Sequence, residues 1–340
     1  MEKSHAFKSL TGLSVFNTES WKRAIKKQIV RQGYLSPLIR KYRMYIMERI
    51  PPEVNIETTS ICNSHCIMCP IDRIDRPKRA MDMELFKKIV DECIEYGVKC
   101  LKLHNYGEPL ITPHFDKMLH YIRSKSPHIS IQFASNGFLL NDKWAKIVIN
   151  EKVDRITVTI DGSTKETFEK VRVGLNYDTL VKNIQHFMDL RKAMKVKLPE
   201  LYLNIIRMDE TRDEIDGFVK QWKNIVDEVG VTSYSTRAGT LPGNEFEVRP
   251  VPCFRLWKQM IITNTGKVAT CCADWNCESV LGDIRTQSLS EIWRDSIVKR
   301  LRRMHLEGLA SEILLCKSCN PASWDSFPGW WFISVPIGTN

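Results

Sequence analysis

Residues 54–69 read VNIETTSICNSHCIMC and combine a short strand pattern with three closely spaced cysteines. Residues 54–58 have the composition of a buried strand. Cys62, Cys66 and Cys69 follow with the spacing C-x3-C-x2-C. Packing does not explain three thiols in one loop, and they are one ligand short of the four that close a zinc or iron–sulfur site. The stretch therefore predicts a metal centre with one open position, held just after a strand.

Length and composition limit what surrounds this centre. A chain of 340 residues, 43% hydrophobic and 26% charged, can form one large core and a smaller unit. No run approaches the ~20 apolar residues of a membrane-spanning helix, and the first residues lack the apolar block of a secretory signal. We therefore expect a cytoplasmic protein, in which the eleven cysteines are metal ligands or reactive thiols rather than disulfides.

The positive charge is concentrated at one end of the chain. The net charge is +10, and residues 1–50 alone contribute +8, from eleven lysines and arginines against three glutamates. Trp21, Ile25 and Ile29 follow a helical spacing, which predicts an amphipathic helix. That helix could pack on the protein body, or contact an anionic membrane or a phosphorylated partner. Nucleic acid is not expected as a partner, because no aromatic–basic interleaving or zinc-finger spacing accompanies the charge.

Short β-prone segments alternate with helical segments from residue 51 to about 240. The predicted strands span 54–58, 100–105, 129–134, 155–160, 201–208 and 231–236, and the predicted helices span 83–96, 115–124, 142–150, 177–192 and 212–229. Strands separated by helices run parallel and are buried on both faces. The pattern predicts an α/β fold, a partial (β/α)6 TIM-like barrel over residues 51–245, with its site at the strand ends.

The regular alternation of predicted strands and helices does not continue in residues 246–340. This segment holds six of the eleven cysteines, one clear helical stretch at 290–302 and an aromatic tail. Its apolar content is small for an independent core, and small domains of this kind are commonly stabilised by metal. We therefore expect a second, cysteine-rich domain.

Three further motifs fall at predicted strand ends, in chain order: Gly107-Glu108-Pro109-Leu110, Ser135-Asn136-Gly137 and Thr159-Ile160-Asp161-Gly162. Together with the cysteine triplet they resemble the radical SAM superfamily. The resemblance implies that Cys62, Cys66 and Cys69 bind a 4Fe-4S cluster whose fourth iron binds S-adenosylmethionine (SAM). The reduced cluster would cleave SAM to methionine and a 5′-deoxyadenosyl radical.

The same resemblance implies a set of SAM-binding residues. They are Met68, Gly107, Glu108, Pro109, Ser135, Asn136, Thr159, Asp161, Arg172, Asn204 and Ile205. Met68 replaces the aromatic residue usual in the family but remains apolar. Pro109 keeps Glu108 out of helical geometry, which is expected to leave its carboxylate free for a cationic amino group. Arg172 would pair with the SAM carboxylate.

The second cysteine group resembles the SPASM and twitch domains found after radical SAM cores. Cys253, Gly266, Cys271 and the Cys316-x-x-Cys319 pair carry the likeness. It implies one auxiliary 4Fe-4S cluster on Cys253, Cys271, Cys316 and Cys319. Cys272 is an alternative to Cys271, since adjacent side chains of a strand point to opposite faces. The competing interpretation of this segment is a structural zinc ribbon.

The remaining candidates are single residues. Cys93 and Cys100 are expected in the core, and Cys277 could either pack in a loop or donate a hydrogen atom. His65 and His104 are expected to support the site rather than to catalyse.

The resemblance favours oxidation of a secondary alcohol in a sugar-like or aminocyclitol-like small molecule, with Arg237 serving the substrate oxygen. Epimerisation and modification of a peptide or protein side chain are the alternatives, and residues 1–50 do not match a three-stranded leader-binding module. A non-enzymatic zinc protein that binds an acidic surface is a third. An enzyme of this family would need an electron donor such as flavodoxin or ferredoxin.

Overall fold

The computed structural model describes residues 47–243 and 253–319. Nine strands in this part of the chain form one sheet. They are β1 (Glu53–Ile56), β2 (Cys100–Lys102), β3 (Ser130–Ser135), β4 (Arg155–Thr159), β5 (Glu200–Arg207), β6 (Glu228–Ser233), β7 (Gln259–Ile262), β8 (Lys267–Ala269) and β9 (Val280–Asp283). Their order across the sheet is β6-β5-β4-β3-β2-β1-β7-β8-β9.

The strands β1 to β6 pair in parallel with their sequence neighbours, which confirms the predicted partial (β/α)6 barrel. The strand β7 runs parallel to the free side of β1, and β8 and β9 continue antiparallel. The cysteine-rich segment therefore extends the sheet of the barrel directly. Because β1 and β7 are parallel, the loops that follow them begin at the same edge of the sheet.

Helices connect and cover the parallel strands. They are α1 (Met83–Glu95), α2 (Phe115–Lys125), α3 (Asp142–Asn150), α4 (Lys165–Val171), α5 (Tyr177–Ala193), α6 (Ile215–Trp222), α7 (Arg255–Lys258), α8 (Leu289–Trp293) and α9 (Ser296–Leu306). Short 3₁₀ helices span Pro70–Arg73, Pro109–Ile111, Arg212–Glu214 and Ala310–Glu312.

Three helix predictions need correction. The helix predicted at 212–229 ends at Trp222, because the Asp227 carboxylate accepts hydrogen bonds from Arg191 and from the Leu201 amide and so fixes the start of β6. The stretch predicted at 290–302 is two helices, since Asp295 caps a new one at Ser296. The helix α4 was not predicted, although Thr164 before it is a capping residue whose hydroxyl accepts from the Thr167 amide.

The core lies between the sheet and its helices. Apolar side chains on alternate strand positions, such as Val54, Leu101 and Phe133, are buried against these helices. The intervening positions face the opposite side, the barrel interior, and several are polar, including Asn55 and Gln132. The fold therefore provides a polar interior beneath the strand ends.

Some predictions fall outside the described residues. They concern residues 1–46 of the basic extension predicted at 1–50, the boundary near residue 245 and the aromatic tail from residue 320. Within the described part of the chain, no helix has the length and apolar composition needed to cross a membrane.

Candidate active site

The loop that carries the first three cysteines lies across the carboxyl end of β1. The His65 amide donates to the Val173 carbonyl at 2.9 Å, and the Ile67 amide donates to the Val171 carbonyl at 3.1 Å. The Cys69 amide donates to the Cys66 carbonyl at 2.9 Å, which closes a turn between these two cysteines. Backbone hydrogen bonds thus fix the loop to the last residue of α4 and to the segment that follows it, and these bonds do not use the cysteine thiols.

The three thiols share one electrostatic environment. Burial raises the pKa of Cys62 to about 12, with the Glu108 charge as the second cause and Cys66 and Cys69 adding to it. Burial, and then Cys66, also raises the pKa of Cys69. Burial thus favours the neutral thiols of Cys62 and Cys69, and their conversion to thiolates would accompany the binding of a positively charged metal centre.

The donor set fits an iron–sulfur cluster. Within residues 47–243 and 253–319, no three His, Cys, Asp or Glu side chains converge closely enough to hold a single metal ion. A 4Fe-4S cluster does not require such convergence, because each cysteine binds a different iron of the cube. Cys62, Cys66 and Cys69 supply three such ligands from one loop.

Arg172 connects this loop to the end of β4. Its Nε donates to Asp161 Oδ2 at 2.8 Å, and its Nη1 lies 3.5 Å from Cys66 Sγ. Burial favours a neutral guanidine, but the charges of Asp161 and Cys66 outweigh it and raise the pKa of Arg172. The other Asp161 oxygen accepts from the Ile206 amide at 2.8 Å. Arg172 is therefore a charged and compensated group beside the cysteines.

The Gly107-Glu108-Pro109 segment packs tightly beneath the cysteine loop. Gly107 has φ +82°, and a Cβ there would lie 2.4 Å from the Thr59 carbonyl oxygen. The Glu108 amide donates to the Ile61 carbonyl at 2.9 Å, and Pro109 begins a 3₁₀ helix. A residue other than glycine at position 107 would push this segment away from the loop.

The Glu108 carboxylate is not free, contrary to the sequence-based expectation. It accepts from the Leu110 amide at 3.0 Å, from Ser135 Oγ at 2.8 Å and from the Asn136 amide at 2.7 Å. Burial raises the pKa of Glu108 in spite of these three donors. The sequence could not reveal this, since two of the three donors, Ser135 and Asn136, come from the end of the next strand. Glu108 thus joins the ends of β2 and β3, and Asn136 Nδ2 extends the connection to Asn63 Oδ1 at 2.8 Å.

Residues of β4 and β5 complete the wall beside this network. Thr159 pairs with Asn204, whose Nδ2 donates to Thr232 Oγ1 at 2.9 Å. Met68 is buried against Cys66 and Val171, with Ile206 beside it. The predicted SAM contact Ile205 instead points into the helix-covered core, because neighbouring strand residues alternate between faces. The side chain of β5 that reaches the cysteine loop is therefore that of Ile206.

The second cysteine group lies around Arg255. Its Nη1 donates to Cys272 Sγ, and its strongest electrostatic contacts are with cysteines. These cysteines are Cys272, Cys271, Cys253 and Cys319. The pKa of Cys272 is lowered chiefly by a hydrogen bond from Cys271. Burial acts in the opposite direction, and the charges of Arg255 and Arg237 lower the pKa further. The structure therefore brings both adjacent cysteines to the group, and the choice between Cys271 and Cys272 as ligand stays open.

His305 supports the outer side of this group. Its Nδ1 accepts from the Cys253 amide at 3.1 Å, and its Nε2 lies 3.4 Å from Cys316 Sγ. Burial lowers the pKa of His305 to about 4, so the ring is neutral. Cys277 is buried with Ile261 and Ala269, next to Cys272. Nothing in the local sequence indicates the role of His305, since it comes from α9.

Arg237 and Tyr106 lie between the two cysteine groups. The Tyr106 hydroxyl donates to the Cys272 carbonyl at 2.7 Å, and its ring packs with Cys62 and Cys69. The Arg237 guanidinium lies 5.7 Å from the centre of that ring and interacts with both Cys69 and Cys272. Its Nε is buried and has no hydrogen-bond partner among the residues that the structure describes. The predicted catalytic residue is thus placed between the groups, with one donor unused.

A buried ion pair that sequence reasoning missed holds the same region together. The fully buried Glu57 carboxylate accepts from Arg76 Nη2 at 2.7 Å and from Asn105 Nδ2 at 3.1 Å. Arg76 Nε also donates to the Trp275 carbonyl at 2.8 Å, four residues after Cys271. The sequence contained one signal for this ion pair, namely the carboxylate of Glu57 five residues before Cys62. Arg76 thus connects the end of β1, before the cysteine loop, to the segment that follows Cys271 and Cys272.

The structure also locates the remaining single-residue candidates, two cysteines and two histidines. Cys93 and Cys100 are buried, as predicted. His65 is exposed and lies 2.8 Å from Asp72. His104 Nδ1 accepts from the Ala134 amide at 3.1 Å, and burial lowers its pKa to about 3.

Comparison with protein families decides what this arrangement is. Residues 56–221 match the family model described as the radical SAM superfamily, and residues 253–320 match the model described as an iron–sulfur cluster-binding domain, SPASM. The chain belongs to the radical SAM superfamily. It carries a SPASM domain, and with these domains come SAM and 4Fe-4S clusters as cofactors. The Cys62, Cys66 and Cys69 loop lies within the first match and the second cysteine group within the second.

The individual relatives with named activities have low sequence identity to this chain. An S-adenosyl-L-methionine-dependent 2-deoxy-scyllo-inosamine dehydrogenase of Niallia circulans is 24% identical over 280 residues, covering 82% of this chain and 96% of the relative. A probable GTP 3′,8-cyclase of Methanococcus maripaludis is 25% identical over 197 residues, covering 58% of this chain and 63% of the relative. These radical SAM enzymes have different reactions.

Solved structures share the fold. The crystal structure of BtrN in complex with AdoMet and 2-DOIA has a TM-score of 0.58 at 20% identity, over 80% of this chain and 93% of BtrN. The structure of Streptococcus suis SuiB bound to the precursor peptide SuiA has a TM-score of 0.60 at 16% identity, over 85% of this chain and 74% of SuiB. Radical SAM proteins with small-molecule and with peptide ligands thus share this architecture.

Proposed function

We propose that this radical SAM enzyme dehydrogenates a secondary alcohol of a sugar-like or aminocyclitol-like small molecule. The observation that carries the proposal is the buried Nε of Arg237, which lies between the two cysteine groups and has no hydrogen-bond partner within the described part of the chain. The dehydrogenase of Niallia circulans, of which the chain covers 96%, supports the same reaction type. A small oxygen-bearing substrate at this point would satisfy the unused donor.

In this proposal Cys62, Cys66 and Cys69 hold the cluster that binds SAM. When bound, the cluster and SAM supply a 5′-deoxyadenosyl radical that removes a hydrogen atom from a substrate carbon. Arg172 and Asp161 bind the amino-acid end of SAM. Met68, Asn204 and Ile206 form the apolar and amide surface beside its adenine. Gly107, Pro109 and Glu108 hold the floor of the pocket, with Ser135, Asn136 and Thr159 completing it.

Arg237 acts on the substrate oxygen. A guanidinium stays protonated in proteins, so Arg237 does not serve as a base. It stabilises negative charge on the oxygen after the hydrogen atom has left the carbon, which favours release of the hydroxyl proton to water. The substrate then gives up one electron, forms the ketone and leaves Arg237 hydrogen-bonded to the carbonyl.

Atoms and electrons balance in the proposed reaction. The first cysteine group would hold the cluster that takes up one electron, from a donor of the flavodoxin or ferredoxin class, for SAM cleavage. The second group would hold an auxiliary cluster that could supply the acceptor for the one electron that the substrate loses. In total the alcohol loses two hydrogens, one to 5′-deoxyadenosine and one as a proton.

The test is turnover of the reconstituted enzyme under anaerobic conditions with dithionite and SAM. The first probe is 2-deoxy-scyllo-inosamine, followed by a panel of other aminocyclitols and sugars. We expect 5′-deoxyadenosine and a ketone two hydrogens lighter than the substrate in equal amounts. A product of unchanged mass and inverted configuration would instead establish epimerisation.

Arg237 provides the residue-level test. Arg237→Gln should lower kcat/KM for the alcohol by roughly 10²-fold, the usual effect of losing one charge-stabilising donor. Arg237→Lys, which keeps the charge, should recover part of that loss. Formation of 5′-deoxyadenosine without substrate should continue in both variants. Unchanged oxidation by Arg237→Gln would exclude the proposed role.

A further inference from the structure

The feature that separates the two cysteine groups is the charge beside them. In the first group Arg172 lies near Cys66, but the fully buried Asp161 pairs with it at 2.8 Å. The buried carboxylate of Glu108 acts on Cys62 as a further negative charge. The positive charge at the first group is therefore compensated by neighbouring carboxylates.

The second group is arranged differently. Arg255 begins α7, two residues after Cys253, and donates a hydrogen bond to Cys272 Sγ. Its strongest interactions are with sulfur, from Cys272, Cys271 and Cys253 in that order. Arg237 approaches Cys272 from the side of the first group and adds a second guanidinium. The second group thus has two guanidiniums beside its cysteines, and one of them donates directly to sulfur.

This difference affects a bound cluster in a defined direction. The reduction potential of an iron–sulfur cluster depends on local charge and on hydrogen bonds to its sulfurs. Reduction adds one negative charge, and a guanidinium nearby in a low-dielectric site stabilises that charge. The positive charge of a guanidinium beside the ligand sulfurs therefore favours the reduced state, and its hydrogen bond adds to this effect where Cys272 is the ligand.

We infer that Arg255 raises the reduction potential of the auxiliary cluster and thereby makes it the acceptor for the electron that leaves the substrate. The inference rests on the proposed function, since it requires an auxiliary cluster that takes up an electron. In the transfer, the deprotonated substrate radical loses one electron and becomes a ketone. The auxiliary cluster gains that electron, and the proton has already passed to water. Arg255 acts through the cluster and is a positioning residue.

The experiment measures the potential of the auxiliary cluster alone. Full-length protein carrying Cys62→Ala, Cys66→Ala and Cys69→Ala lacks the ligands of the first cluster. It is reconstituted with iron and sulfide and titrated with redox mediators, with the reduced cluster followed by EPR. In this background Arg255→Gln keeps a hydrogen-bond donor but removes the charge. We expect the equilibrium constant for one-electron reduction to fall at least about tenfold, which corresponds to about 59 mV.

Two further variants separate charge from structural damage. Arg255→Lys keeps the charge and should retain most of the wild-type potential. The matched control is Arg302→Gln. Arg302 is a buried arginine that supports α7, and the hydrogen bonds observed for it in the described part of the chain go to the carbonyls of Leu256 and Trp293 rather than to sulfur. This control should leave the potential unchanged even if it lowers stability.

Each outcome decides the inference. A shift in Arg255→Gln no larger than that in Arg302→Gln, or a shift to higher potential, overturns it. Protein of this background that binds no reducible cluster overturns both the inference and the auxiliary-cluster step of the proposed function. If the potential shifts as expected but the wild-type enzyme forms no ketone, the inference holds for the cluster and the proposed substrate oxidation fails.

Discussion

The two cysteine groups use the same ligand in two different structural settings. The first lies in one loop after β1 and is surrounded by the ends of other parallel strands, with Arg172 neutralised by Asp161. The second is assembled from segments on both sides of the β7–β8 hairpin, with Arg255 directed at sulfur. The comparison teaches that the spacing of cysteines indicates a cluster, whereas the charges supplied by distant segments determine what the cluster can do.

The largest effect is expected from removing one ligand of each group. Cys66→Ala should abolish SAM cleavage, because the cluster that binds SAM loses a ligand, while the second group keeps its cluster. Cys316→Ala should abolish ketone formation but leave substrate-independent 5′-deoxyadenosine formation close to wild type. Iron content, EPR and quantitative chromatography of 5′-deoxyadenosine measure both variants. Loss of SAM cleavage in Cys316→Ala would contradict the division of labour between the groups.

The compensated charge at the first group can be tested by removing its carboxylate. Asp161→Asn leaves the Arg172 guanidinium buried without its counter-charge, and breaking a buried pair in this way costs roughly 3–5 kcal/mol in the free energy of unfolding. The measurement is denaturant unfolding followed by circular dichroism. SAM affinity should fall as well, since Arg172 loses its orientation.

The matched control is an exposed ion pair of the same barrel. Lys165 and Asp178 lie on the surface, with 52% and 68% of their side-chain areas exposed. Asp178→Asn should therefore leave the free energy of unfolding close to that of the wild type, because exposed ion pairs are screened by solvent. Equal losses in the two variants would show that the Asp161 pair contributes no more than a surface salt bridge.

A smaller effect is expected where the Gly107 segment contacts the cysteine loop. Gly107→Ala combines a left-handed backbone with a Cβ 2.4 Å from the Thr59 oxygen, for a total cost of about 3 kcal/mol. Gly97 has a similar φ of +76°, but no atom of the described residues would lie within 4 Å of a Cβ there, so Gly97→Ala should cost only about 1 kcal/mol. The difference between the two unfolding free energies isolates the steric clash. Equal costs would mean that the loop moves away without penalty.

The first group could be predicted from the sequence because its signals are local. Cysteine spacing, Gly107-Glu108-Pro109 and Ser135-Asn136-Gly137 each follow a strand, and parallel strands end at one edge of a sheet. The side of β5 could not be predicted so well: Ile205 was expected at the site, and the alternation of the strand places Ile206 there instead. An error of one residue reverses the face of a strand.

The second group and the connection between the groups could be predicted only in outline. The hydrogen bond from Arg76 to the Trp275 carbonyl joins residues 199 positions apart, and no local pattern marks it. The same holds for His305, which reaches Cys253 and Cys316 from α9. Arg255 stands beside Cys253 in the sequence, yet its direction toward Cys272 depends on how α7 packs. Burial and charge compensation are properties of the assembled fold.

The smallest expected effect concerns the hydrogen bond that directly connects the groups. Tyr106→Phe removes the donor to the Cys272 carbonyl, observed at 2.7 Å, but keeps the ring against Cys62 and Cys69. The loss of one such bond costs about 1 kcal/mol in stability. Because the Cys272 loop is then held less firmly, we expect more 5′-deoxyadenosine per ketone formed. Tyr121→Phe, which removes a surface bond to Asp91, is the matched control and should leave that ratio unchanged. If both variants give the same ratio, the Tyr106 hydroxyl does not couple the two groups, and the Glu57–Arg76 pair must hold them together without it.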